Sequence, residues 1–311
     1  MIALDWHGWR SALTREGRLP DVKHAPAGIE MELRAGVTHV GVPMHHYGKE
    51  VHVKALTAAG LQIVRTMEPP WNVGRPGIAG DPPDLGRVLL DWQSVDNPGP
   101  LFSAYAEALK APAVGIGWNL EHDPESYPIT SADKEWAKGI VDRSSQFSLL
   151  LRLYQAVAQR KLGHPVFTVA YSGYDCVLHN GKTLSEAYSV DWDLLSKPVT
   201  YRGQTFPPLD YADCGYSGLA LPKLAVVRPL GLHLLHSIGL PLYGGKEDLP
   251  NGKRWKDYET VIANRVKVAK EVPGDGIGLV ACSPLSGPWN NEEDRLRVLL
   301  SKYRSESTCT P

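Results

Sequence analysis

Phenylalanine is scarce in this 311-residue chain, with 4 residues against 9 Trp and 13 Tyr. Phe is the aromatic best suited to dry interiors. Its scarcity leaves aromatic side chains with polar edges, which fit half-wet clefts and ligands that combine apolar faces with hydroxyls. Cysteine is sparse as well: Cys176, Cys214, Cys282 and Cys309 are widely spaced and form no C-x-x-C pair, so neither a zinc ribbon nor a redox motif is offered. A chain of this length buries most of its surface in an ordinary core and needs no disulfide framework.

An excess of one charge is also missing. With 33 Lys and Arg against 34 Asp and Glu and no dense basic run, neither nucleic acid nor an anionic membrane surface is expected as a partner. Long hydrophobic runs are absent too. The longest apolar stretch, residues 219–243, is interrupted by Lys223, Arg228, His233, His236 and three prolines, so no spanning helix is expected. The first residues lack the basic flank and apolar stretch of a signal peptide. The compartment stays open between cytoplasm, secretion after removal of a leader, and a virion, and the oligomeric state is equally open.

What is present is an alternation. Short runs rich in Val, Ile and Leu recur at residues 2–6, 37–44, 61–67, 113–119, 166–171, 209–213, 240–243 and 277–282, and most are followed by stretches with helical spacing. Helices are expected at 28–35, 50–59, 101–110, 131–162, 222–238, 255–271 and 292–303. Gly36, Gly60, Gly163 and Gly239 stand where left-handed caps would end them. Strands that are nearly continuous in apolar residues suit a parallel sheet covered on both faces. Eight βα repeats in about 300 residues match the size of a single (β/α)8 TIM barrel, spanning residues 1–304 with a short tail at 305–311. The rival doubly wound sheet would call for a glycine fingerprint after strand 1, where His7-Gly8-Trp9-Arg10 stands instead. Two long irregular stretches, 69–100 and 175–208, follow strands 3 and 5 and are expected to build the substrate cleft. Residues 87–92 admit a ninth strand.

In a barrel, chemistry collects where strands end and βα loops begin. The residues expected there are Asp5, Trp6, His45, His46, Glu68, Trp71, Trp118, Asn119, Glu121, Tyr171, Tyr174, Tyr211, Asp213, Tyr243 and Glu247. Such a mixture of carboxylates, amides and flat aromatic faces matches carbohydrate, whose C–H faces stack on Trp and Tyr while its hydroxyls take hydrogen bonds. Carboxylates also supply the acid and the nucleophile or base of glycoside hydrolysis.

The segment Gly36-Val-Thr-His-Val-Gly-Val-Pro, with Val53-Lys-Ala-Leu-Thr-Ala-Ala-Gly-Leu-Gln-Ile-Val, resembles the strand 2, helix 2, strand 3 region of barrel glycoside hydrolases of the large retaining clan A. Val114-Gly-Ile-Gly-Trp-Asn-Leu-Glu is similar to that clan's strand 4, and Gly239-Leu-Pro-Leu-Tyr-Gly-Gly-Lys-Glu to its strand 7. The resemblance implies Glu121 as acid/base and Glu247 as nucleophile, with no cofactor. Glu68 and Asp213 are the competing carboxylates. Asp5, Trp6, His45, His46, Trp71, Trp118, Asn119, Tyr171, Tyr174, Tyr211 and Tyr243 are expected to bind substrate. One departure is visible: Leu120 separates Asn119 from Glu121, where the clan has the two adjacent, and a one-residue offset on a strand reverses the face.

Two other classes compete. A barrel that binds carbohydrate or another partner without catalysis, as a structural or virion component would, is favoured by that broken pair. A metal-dependent hydrolase would use His7, His45 and His46, yet adjacent strand residues face opposite ways, and no metal is expected.

Overall fold

Short β-branched and leucine-rich runs become the staves of a barrel because each can bury both faces, one toward the barrel axis and one toward the surrounding helices. The computed structural model describes residues 2–6, 29–30, 32–33, 36–43, 49–67, 89–109, 112–119, 140–172, 192–214, 228–239 and 274–280. Its strands are β1 (Ile2–Asp5), β2 (His39–Pro43), β3 (Gln62–Met67), β4 (Gly115–Asn119), β5 (Phe167–Ser172), β6 (Val199–Tyr201), β7 (Gln204–Phe206), β8 (Tyr211–Cys214), β9 (His233–Gly239) and β10 (Gly276–Val280). Eight of them close in the order β1-β10-β9-β8-β5-β4-β3-β2, while β6 and β7 form a separate two-stranded sheet. All pairings in the barrel are parallel. The chain is a (β/α)8 barrel of the TIM type.

Around it lie α1 (Lys49–Ala58), α2 (Pro100–Ala108), α3 (Ile140–Leu162) and the short α4 (Trp192–Leu195). Gly36, Gly60 and Gly163 have φ of 76°, 88° and 75°, the left-handed caps expected before β2, β3 and β5. Two apolar layers result. Inside the barrel, Leu4, Trp6, Val64, Val169, Tyr171 and Leu235 pack together. Outside it, Ile116, Trp118, Ala170, Ala212 and Leu234 meet residues of α2 and α3 such as Phe102, Tyr105, Leu150 and Tyr154. Burial raises the phenol pKa values of Tyr105 and Tyr154 above the ordinary tyrosine range. Among the described residues, no helix is long and apolar enough to cross a membrane.

The structure corrects the sequence reading in three places. Residues 228–239 are not helical: a 3-10 turn at Arg228–Leu230 leads into β9, which fills the slot between β8 and β10. The left-handed glycine of this corner is Gly231 (φ 82°), and Gly239 ends a strand rather than a helix. Residues 240–243 lie outside the described residues. Second, the described part of the long stretch after β5 packs against the outside of the barrel. Trp192, Leu195 and Phe206 join the outer core with α2 and α3, so α4 and the β6–β7 hairpin take the place of an outer helix. Third, residues 89–91 are helical, which removes the ninth strand.

Candidate active site

The alternation of each strand decides what faces the axis. Leu4 and Trp6 point inward from β1 and its end, Val169 and Tyr171 from β5, and Leu235 from β9. Asn119 is level with Tyr171, and Tyr171 with Asp213, so three neighbouring strands bring these positions to one height near their carboxyl ends. Trp6 reaches across to join them: its indole Nε1 donates to Asp213 Oδ2 at 2.6 Å, and its ring stands 5.4 Å from that of Tyr171 at an interplanar angle of 50°.

Room for this group comes from small residues on facing strands. A Cβ added at Gly117 would lie 2.6 Å from Trp6 Cζ3, and one added at Gly278 would overlap the Asp213 carboxylate. The two glycines therefore let a large indole and a carboxylate share the axis at one level. Neither was singled out from the sequence, although Gly115-Ile116-Gly117 and Gly276-Ile277-Gly278 carry the signal: a glycine at every second strand position leaves one face without side chains.

This cluster is dry. Asp213 is fully buried, Tyr171 is 2 % exposed and Trp6 is 6 % exposed. A carboxylate held by an indole N–H on a rigid strand is pre-oriented, which suits either a reacting group or one that fixes the residues layered over it.

The remaining expected residues fall elsewhere. Asp5 is buried and leaves β1 on the face opposite to Leu4 and Trp6. Trp118 is fully buried in the outer core, so its indole gives a packing surface rather than a sugar-stacking one. Tyr211 opens β8 instead of ending it, and its ring lies 5.5 Å from Phe167 and 5.1 Å from His233 at the amino-terminal end of the barrel. Burial, with Asp210 and Asp275 nearby, raises the Tyr211 pKa. Glu68, Glu121, Glu247, His45, His46, Trp71, Tyr174 and Tyr243 lie outside the described residues. In chain position, Glu121 stands two residues past the end of β4, and Glu247 stands eight past the end of β9. Among the described residues, no three His, Cys, Asp or Glu side chains are grouped to hold a metal ion.

No family model matches the chain, and neither does any curated protein. Solved structures that are similar to it include a sugar phosphate isomerase/epimerase from Parabacteroides distasonis, at 11 % identity over 98 % of this chain and 95 % of that one, TM-score 0.47. Dispersin B is 10 % identical over 98 % of both chains, TM-score 0.45. A glycoside hydrolase family 5 mannosidase from Rhizomucor miehei is 10 % identical over 99 % of this chain and 94 % of that one, TM-score 0.45. Glycoside hydrolases recur among these neighbours, and an isomerase stands beside them, so the likeness assigns no reaction.

Proposed function

We propose that the chain is a glycoside hydrolase that cleaves an oligo- or polysaccharide with two carboxylates and no cofactor. The observation that carries this reading is the Trp6–Tyr171–Asp213 cluster at the carboxyl ends of the strands, level with Asn119. It supplies a rigid, pre-oriented floor where barrels place their chemistry. Glu121, just past β4, protonates the leaving oxygen and then deprotonates water, and Glu247 attacks the anomeric carbon. Glu68 and Asp213 are the alternatives for either role. That double displacement retains the anomeric configuration and requires the two carboxyl groups about 5 Å apart; at about 6.5–9.5 Å Glu247 would instead deprotonate a water that attacks directly, with inversion.

The test is turnover of a panel of oligo- and polysaccharides by the wild type and by Glu121→Gln. Loss of a general acid removes about 10²–10⁴ in rate while fold and sugar affinity persist. Chelation leaves the activity unchanged. Full activity in Glu121→Gln, with loss in Glu68→Gln or Asp213→Asn, moves the acid to another strand.

A second reading, a barrel that binds carbohydrate or another partner without turnover, is favoured by one observation. The described rim carboxylate, Asp213, is fully buried and engaged by Trp6, as a structural group would be. Oligosaccharide binding without hydrolysis of any substrate in the panel selects it.

A further inference from the structure

A sugar stacking on Trp6 would need an open ring face, and the indole has little to offer. The residue is buried at the end of β1. Its ring meets that of Tyr171 on β5, and a Cβ added at Gly117 of β4 would lie 2.6 and 2.9 Å from its Cζ3 and Cη2. Its Nε1 donates to Asp213 of β8. None of these three strands pairs with β1, whose neighbours are β2 and β10, so the side chain crosses the barrel axis.

That crossing costs stability. Glycines on three strands make way for it: an added Cβ would lie 2.4 Å from the Trp6 carbonyl oxygen at Gly41 of β2, 2.6 Å from the indole at Gly117, and on top of the Asp213 carboxylate at Gly278 of β10. Glycine inside a strand weakens it. A fully buried carboxyl group adds a desolvation cost that its hydrogen bonds must offset. Apolar side chains of similar volume would fill the same space without that cost. Local costs that converge on one point, at the end of the barrel where chemistry collects, are the pattern expected of a geometry held for its chemistry.

We propose that Trp6 is a positioning residue of the hydrolytic site that acts through Asp213: its N–H fixes that carboxylate beneath the reacting sugar, and its ring takes no part in sugar stacking. This rests on the hydrolase reading and assigns a role to the barrel axis under it. Glycoside hydrolysis passes through an oxocarbenium-like transition state, so positive charge develops on a sugar ring that is neutral before reaction. A fixed negative charge in a dry surrounding stabilises that transition state more than the bound substrate. An N–H donated to a carboxylate favours its charged form and holds its direction. The Trp6 N–H therefore acts on turnover, not on binding.

Replacing Trp6 by benzothienylalanine in the whole chain tests this, because the bicyclic ring persists while sulfur takes the place of the N–H. On a saccharide that the wild type turns over, kcat falls about tenfold or more, as expected for loss of a charge-assisted hydrogen bond, while KM and calorimetric sugar affinity stay within about twofold. Asp213→Asn, which removes the charge, lowers kcat in the same way. The two changes together cost no more than the larger one alone, because the pair acts as a unit. Circular dichroism at the assay temperature gives the folded fraction of each chain, to which kcat is referred. Trp6→Phe, an aromatic ring without the donor, carries the test if the benzothienylalanine chain does not fold. Unchanged kcat without the N–H, additive losses in the double variant, or a tenfold rise in KM with kcat intact overturns the proposal and leaves the hydrolase reading standing. Failure of the wild type to turn over any saccharide removes both.

Discussion

Gly278 shows how a residue without a side chain can matter more than its neighbours. Its Cα faces the Asp213 carboxylate so closely that any Cβ would overlap it. Gly278→Ala is therefore expected to cost about 2–3 kcal/mol, the upper range of overpacking in a filled interior. If the carboxylate is the obstacle, Asp213→Ala should relieve much of that cost, and the double variant should be far more stable than the sum of the single changes predicts. Denaturant titrations of the four chains measure the coupling; strict additivity would show that the strain lies in the β10 backbone instead. Trp6, Tyr171 and Asp213, which the structure brings together, stand out in the sequence as polar and aromatic residues at strand ends. The glycines do not, because glycine at strand positions reads as weakness until its facing neighbour is known. The same limit applies to Trp118: its sequence neighbours do not reveal which face of β4 it takes, and the outer face buries it.

At the scale of elements, β9 is where local pattern and fold disagree. Leu232, Leu235, His233 and His236 repeat at helical spacing, so residues 222–238 read as an amphipathic helix. Closure decided otherwise, since without β9 both β8 and β10 would expose an unpaired edge. Asp275 locks the corner. Its Oδ2 accepts the Leu234 N–H at 2.8 Å, its own N–H donates to the Leu234 carbonyl at 2.7 Å, and Arg228 pairs with Oδ2 at 2.8 Å. Burial opposes ionisation of Asp275, but the Leu234 N–H and Arg228 outweigh it and hold its carboxyl below the usual range. The backbone bond is half-sheltered while the ion pair faces solvent, with Arg228 41 % and Asp275 30 % exposed. Asp275→Ala should accordingly lose about 2 kcal/mol, and Arg228→Ala under about 1 kcal/mol. Equal losses in the two variants would mean that the ion pair, not the backbone bond, holds β9 in place. Most of the other barrel strands are legible as short apolar runs with no competing helical period, whereas β8, Tyr-Ala-Asp-Cys, carries only a weak signal of that kind.

Across the whole molecule the two ends of the barrel divide the work, with candidate chemistry at the carboxyl ends and structural packing at the amino ends. The amino end should set the response to acid. His39 is 8 % exposed, edge-on to Phe167 at 5.6 Å, with Nδ1 2.8 Å from Thr38 Oγ1. Burial lowers its pKa to about 4, against the opposing hydrogen bond that the protonated ring donates to the Gln62 side chain. An unfolded chain takes up that proton near pH 6.5, whereas the folded one waits until about pH 4, so between these values the unfolded state binds more protons. Stability contributed by neutral His39 is complete above pH 6.5 and falls as pH drops towards 4, by up to about 3 kcal/mol. Asp275 acts lower: its depressed carboxyl stabilises the fold above the unfolded carboxylate range and loses that contribution as pH falls through the folded value. Denaturant titrations at pH 7.5, 5.5 and 4.5 should show the wild type weakening across this series. His39→Gln starts from a lower value at pH 7.5, because the packing on Phe167 is lost, but declines less between pH 7.5 and 4.5. A decline in His39→Gln parallel to that of the wild type would place the acid-sensitive groups elsewhere in the chain and remove the amino end of the barrel from the explanation.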